Sequence, residues 1–455
     1  MVGGSAGVQG SPASRHIKVS EVLSVKLPSR RILGLISALA IVAIACSSSV
    51  TKVEVVSWWT TGSEATGFKA VIDQFNKENP SIQVTNSAIA GGAGSVAKAA
   101  LQNRVLNGVP PDSFQVAMGH ELLDTYVVPD YMSNLDDMFS ANDWTNQFPQ
   151  GVLDIVSAKD SSGKVHYYSV PVDIQRANLL WFNKSVFSAS NLTPPSTWDE
   201  FFTVAEALKA KGFTALAVGD NDMGADSQVL EIVLVGTLGA DKYKGLWLGT
   251  TDWAGGDVKA ALTTYQKVLT YVNSDHSSLT WDQAADYLIP AGAGAQPKAA
   301  MTITGDWAVG EFDNKTFTDY GWAAAPGNDK VYDALADSFG LPSKAANNDA
   351  VKKFLTFVGS ASGQDLFNPY KGSIPANTTA GNPPPDARQY NAYQKWAIGE
   401  WKADAIVPSL EYGAAAAPGW KSAFETAVTA FVAKPDVAIL QAALAKACKD
   451  VNVCR

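Results

Sequence analysis

The stretch Val53-Glu54-Val55-Val56-Ser57-Trp58-Trp59-Thr60-Thr61-Gly62-Ser63-Glu64 constrains the fold more than any other part of the chain. A β-branched run stops at two tryptophans, and a turn rich in Ser, Thr and Gly leads into Ala65–Phe75, whose apolar residues recur at helical spacing. The order is strand, aromatic loop, helix. In an open α/β sheet, ligands sit in the crevice beyond the carboxyl ends of the strands, so this loop brings two indoles and the Glu64 carboxylate to that crevice. An indole face and a carboxylate suit the C–H face and hydroxyl rim of a sugar better than a phosphate. One of Trp58 and Trp59 is expected to turn into the core instead.

With 455 residues, 46% of them hydrophobic, the chain can bury a large core and fills at least two domains. The formal charge is -9, and the first 45 residues carry five basic side chains against Glu21, so the remainder stands at -13. That balance argues against nucleic acid and anionic membrane surfaces as partners. Thirteen tryptophans are many for this length, although core packing accounts for most of them.

Arg30-Arg31 precedes the short apolar run Ile32–Ala45, and residues 1–45 read as a signal peptide. The run is too short for a membrane span, which takes roughly 20 residues. Ala43-Ile44-Ala45-Cys46 fits either ordinary cleavage or a lipobox, in which Cys46 is lipidated and residues 46–50 form a tether; Ala43 departs from the usual Leu. Cys448 and Cys454 lie close enough to form a disulfide outside the cytoplasm, which leaves Cys46 as the odd cysteine.

Further along, Ile82–Ala88 reads as a second strand and Val96–Leu106 as a helix with Lys98 in its first turn. The intervening Gly91-Gly92-Ala93-Gly94 matches no complete phosphate-binding pattern. Gln115 ends a third strand and either faces a pair of ligand hydroxyls or satisfies a turn. Tyr167–Lys184 forms two extended runs, and Thr193-Pro194-Pro195-Ser196-Thr197-Trp198-Asp199-Glu200 starts a helix with Thr197 and Glu200 as a capping box.

These segments, with Ala299–Phe312 (including Gly305-Asp306-Trp307), Asp337-Ser338-Phe339-Gly340-Leu341-Pro342 and Gly363–Ala376, resemble the extracellular solute-binding proteins of bacterial ABC sugar importers, in particular their glucose/mannose-binding branch. The resemblance runs from Val53 to about Ala445. It implies an α/β, two-lobe periplasmic-binding-protein-like fold with three hinge crossings, near Tyr168–Asp173, Thr304–Trp307 and Ser338–Leu341, and a ligand cleft between the lobes. Lobe one is then 51–168 plus 306–338, and lobe two 169–305 plus 340–455. It further implies a monomeric receptor, in the periplasm or on the outer face of the membrane, that delivers a glucose-like monosaccharide to the permease without catalysis or cofactor.

Carried over residue by residue, the resemblance adds Lys98, Gln115, Trp281, Asp306, Lys371 and Tyr412 to Trp58, Trp59 and Glu64 as the expected ligand-binding set. Glucose-binding relatives often carry His where this chain has Ala117 and Tyr412, so the sugar is expected to differ from glucose in one hydroxyl or in size, unless His120 or a water substitutes. A secreted glycosidase is the rival reading, since Glu64 and Asp306 supply the two carboxyls such an enzyme requires, and a sugar sensor for a membrane kinase is a third. No metal site is expected, because the four His and three Cys show no ligand-pair spacing.

Overall fold

The computed structural model describes residues 50–91, 94–221 and 224–454. The signal-like segment and Cys46 lie outside the described residues. Strand β1 (Thr51–Val56) pairs in parallel with β2 (Ile82–Asn86) and with β3 (Ser113–Ala117). The sheet is completed by β13 (Asp337–Gly340) and β6 (Ser169–Pro171), in the order β2-β1-β3-β13-β6. Helix α1 (Gly62–Glu78) covers one face because Phe68, Val71, Ile72 and Phe75, spaced on one helical stripe, are all buried. Under it Phe68, Phe339, Phe354 and Phe367 form an aromatic core, with Phe68 and Phe339 stacked 5.0 Å apart.

The second lobe holds a four-stranded sheet, in which β8 (Leu179–Asn183) runs antiparallel to both β10 (Ala299–Ile303) and β11 (Tyr320–Ala324), while β9 (Thr214–Ala217) lies parallel to β10. Beside it, β12 (Val331–Leu335) pairs with β7 (Gln175–Arg176) and with β14 (Ala405–Pro408). The hairpin β4 (Ser157–Lys159) and β5 (Val165–Tyr167) stands apart. A disulfide joins Cys448 to Cys454 at the end of the helix Val437–Asp450. Among the described residues no helix is long and apolar enough to cross a membrane.

The chain passes between the sheets three times, but not everywhere at the expected places. The first passage, from β6 to β7, falls within Tyr168–Gln175. The second lies at Ala336, between β12 and β13, and not at Thr304–Trp307. The third follows the helix Ala361–Lys371, which packs on α1, so residues 341–371 belong with the first sheet and 320–335 with the second. The expected division is corrected for 320–335 and for 341–371, whereas the helix Trp307–Asn314 packs on α1 and on Ala361–Lys371, on the first-lobe side where it was expected. The reason is local: Ala336 alone separates β12 from β13, and the two strands pair in different sheets. The expected capping box is also displaced. Thr197 Oγ1 accepts from Glu200 N at 3.2 Å, whereas the Glu200 carboxylate accepts from Ser196 N and Oγ, one residue earlier than the reciprocal pair requires.

Candidate ligand-binding site

A cavity of about 700 Å³ lies between the lobes, within the size range of small-molecule sites. Its first-lobe side is the β1–α1 loop, where Trp58 lies against the start of helix α2 (Ser95–Leu106). A side chain at Gly94 (φ +105°) would meet the Trp58 ring at 3.1 Å, so only glycine leaves the indole its place. Lys98 Nζ stands 5.0 Å from the Trp58 ring centre and is held by Glu121 at 2.5 Å, and Gln115 Oε1 accepts from Trp58 N at 3.1 Å. The other side is aromatic. Trp281 starts the helix Trp281–Ala285 from a Thr280/Gln283 capping box and meets Trp307 edge-on at 6.3 Å; Trp307 in turn meets Tyr412 edge-on at 5.1 Å.

Helix Trp307–Asn314 contributes to this cavity along one stripe: Trp307, Glu311, Asn314 and the following Lys315 all line it. Glu311 reaches the N-terminus of α1, where its Oε1 accepts from Ser63 N (2.7 Å) and Ser63 Oγ (2.9 Å). Gly62 (φ +68°) has no room for a side chain there, since an added Cβ would lie 2.1 Å from the same carboxylate oxygen. Trp307 Nε1 is buried and has no hydrogen-bond partner in the protein, which leaves a donor at the cavity wall.

The floor is a charged cluster at the hinge. Lys371, 2% exposed, places Nζ 2.5 Å from Glu64, 3.5 Å from Asp337 and 4.0 Å from Asp173. Gln175 Nε2 donates to Asp337 at 2.8 Å, and Asp173 Oδ1 accepts from Asp337 N at 2.7 Å. Burial alone would lower the Lys371 pKa, but Glu64, Asp337 and Asp173 outweigh it and hold the ammonium above its ordinary range. Burial, followed by the charge of Asp337, pushes the Asp173 carboxyl well up, and burial raises Glu64 against the opposing pull of Lys371. The cluster ties β6–β7, β13 and α1 together, so the cavity floor is also where the lobes join.

Residues 59–365 match the family described as bacterial extracellular solute-binding protein. The chain belongs to that family. Among its relatives are an uncharacterised ABC transporter extracellular-binding protein of Pyrococcus horikoshii, 35% identical over 81% of each chain, and a probable sugar-binding periplasmic protein of Rhizobium meliloti, 29% identical over 75% of this chain and 80% of that one. The crystal structure of the bacterial solute receptor AcbH, described as preferring β-D-galactopyranose exclusively, shares the fold with a TM-score of 0.74 at 20% identity, covering 88% of this chain and 99% of that one. Maltose-bound MalE3 of T. maritima does so with a TM-score of 0.68 at 14% identity, covering 88% and 100%.

In this solute-binding protein Trp58, Glu64, Lys98, Trp281, Lys371 and Tyr412 of the expected set line the one cavity, together with Ala117. Three others do not. Trp59 is the inward indole, 1% exposed and packed 4.6 Å from Phe367 and 5.2 Å from Phe68. Gln115 is buried behind Trp58 and positions its loop. Asp306 is fully buried, with Oδ2 accepting from Arg176 N at 2.9 Å; burial, opposed by that hydrogen bond, raises its pKa to about 8. It braces the start of the Trp307 helix rather than facing a ligand. His120 binds Asp124 at 2.8 Å and is absent from the cavity lining, so it does not substitute at Ala117. Trp307, Glu311 and Asp337 were missed, although the i, i+4, i+7 spacing of Trp307, Glu311 and Asn314 was a readable signal.

Proposed function

We propose that this chain is the sugar-binding receptor of a bacterial ABC importer, taking a glucose-like monosaccharide into the cleft and presenting it to the permease. The observation that carries the reading is the cavity lining: an indole with an adjacent ammonium on one side, an aromatic patch on the other, and a carboxylate–ammonium pair on the floor. Rings meet the C–H faces of a sugar, and charged planar groups take its hydroxyls. The relatives named as sugar-binding support the same ligand class. A single ring fits best because Trp281, Trp307 and Tyr412 meet edge-on in one patch, where an oligosaccharide would call for a row of separate platforms.

Closure of the two lobes on the sugar is the signal the permease reads, which requires the ligand to favour the closed form by several kcal/mol. Ala117 offers no hydrogen bond where the glucose branch often has His; an unpaired hydroxyl there costs roughly 1–3 kcal/mol, so a hexose differing from glucose at that hydroxyl is favoured over glucose itself. The exported chain is anchored through Cys46, and Cys46→Ser is expected to move it from the membrane fraction to the soluble one.

The reading is tested by thermal-shift screening against hexoses, pentoses and disaccharides. A specific ligand at 100 times its Kd adds roughly 2.7 kcal/mol to the native state. The expected result is stabilisation by one hexose. Stabilisation by disaccharides alone overturns the single-ring assignment, and turnover of aryl glycosides that disappears in Glu64→Gln overturns the receptor reading.

A further inference from the structure

Beneath the second-lobe rim of the cleft stands a group of side chains that sugar binding does not use. Asp220 follows β9, Asp226 is the second residue of the helix Ala225–Leu248, and His276 begins the turn His276–Ser278. One potential ligand atom from each lies within 4.8 Å of the others, the one such group of three or more among the described residues. Asp226 is 3% exposed, yet neither of its carboxylate oxygens accepts a hydrogen bond. His276 Nδ1 stands 3.4 Å from Asp226 Oδ2, an ion pair when the imidazole carries a proton. A buried carboxylate whose one neighbouring donor is an imidazole at 3.4 Å is under-satisfied, and native interiors rarely leave one so.

The distances suit one small cation. In a tetrahedral site with bonds of about 2.1 Å, neighbouring ligand atoms stand roughly 3.4 Å apart, the observed separation of His276 Nδ1 and Asp226 Oδ2. Asp220 Oδ1 accepts from Asp226 N at 3.0 Å, which holds this carboxylate against the start of the helix and leaves its Oδ2 as the ligand atom. Two carboxylates supply the charge that a dication requires, and an imidazole nitrogen selects against Ca²⁺ and Mg²⁺, which take oxygen ligands.

We propose that Asp220, Asp226 and His276 bind a single divalent transition-metal cation of the Zn²⁺ or Mn²⁺ class, which staples the loop after β9 to the segment leading into Trp281. The backbone already brings these two segments together: Asp220 N donates to His276 O, and Asn221 N donates to Leu279 O, both at 2.9 Å. Asn221, Thr280 and Trp281 line the cleft directly above, so the cation fixes one wall of the sugar site without touching the sugar.

The test uses the full chain without a polyhistidine tag, stripped with EDTA and titrated with ZnCl₂, MnCl₂ or CaCl₂ in the absence of sugar, with bound metal counted by mass spectrometry and the unfolding midpoint followed in parallel. One equivalent of Zn²⁺ or Mn²⁺ per chain and a rise of several degrees are expected, with binding at least tenfold weaker in Asp226→Asn and in His276→Gln. His276 lies on a partly exposed turn, so His276→Gln keeps the comparison valid if Asp226→Asn misfolds. No saturable binding by the parent chain, binding by both variants as tight as the parent's, or a response to CaCl₂ alone would overturn the proposal. Because no sugar is present, its failure leaves the receptor reading untouched.

Discussion

On the first-lobe wall Trp58 is held by groups that all serve it: Gln115 on its backbone, Gly94 against its ring and Lys98 above it, itself anchored by Glu121. On the opposite wall Trp281, Trp307 and Tyr412 hold one another edge to edge, and they come from segments scattered over residues 281–412. The first wall is fixed by polar and charged neighbours, the second by mutual ring contact. The difference teaches where specificity resides: a pre-set wall offers one stacking face, while a wall of interlocked rings moves as a patch when any member changes.

The comparison is tested most severely on the floor that both walls share. Lys371→Met leaves Glu64, Asp337 and Asp173 without their cation, and loss of one partner from a buried charge cluster costs roughly 3–5 kcal/mol, read as a lower midpoint in urea. The adjacent indoles give the next contrast. Trp59→Ala empties a packed core site and is expected to cost about 3–5 kcal/mol of stability, whereas Trp58→Ala costs less than about 1 kcal/mol and weakens the sugar tenfold or more by calorimetry.

Proton linkage follows in size. Asp306, raised from 3.8 to about 8, holds a proton in the folded state that the unfolded chain releases near pH 4. The folded state therefore binds more protons over that window, and stability falls as pH rises from about 4 to 8, by at most ~1.4 kcal/mol per unit for this group. Denaturation followed from pH 5 to 9 is expected to show this decline, flattened in Asp306→Asn. The smallest effect tests the second wall alone. Trp307→Phe removes the unpartnered N–H together with half of a buried indole, and is expected to weaken the sugar by about 1 kcal/mol while lowering stability by roughly 1 kcal/mol through the space left between Trp281 and Tyr412.

What was legible beforehand follows from the same contrast. The β1–α1 loop is one contiguous stretch, so its strand, indoles and carboxylate could be read from residue order, and resemblance supplied Trp281, Lys371 and Tyr412 for the far side and the floor. Which indole faces the cleft was not readable, because Trp58 and Trp59 differ only in what packs above them, Gly94 for one and Phe367 for the other. The role of Asp306 was misread because it sits at a helix start beside Trp307, and only the Arg176 backbone shows which way its carboxylate turns. The Asp220–Asp226–His276 group has no sequence spacing to announce it; the fold brings its members together across 56 residues. The passage at Ala336 was read two residues late, at Ser338–Leu341, and the one after Lys371 was not read at all.

The central claim is that a sugar ring is held between Trp58 and the Trp281–Trp307–Tyr412 patch. Calorimetric titration of the parent chain, Trp58→Ala and Trp281→Ala with the hexose found by screening tests it most directly. One-to-one binding by the parent, weakened tenfold or more in each variant while all three unfold at similar midpoints, is the result this structure predicts. Binding left unchanged in both variants would contradict it.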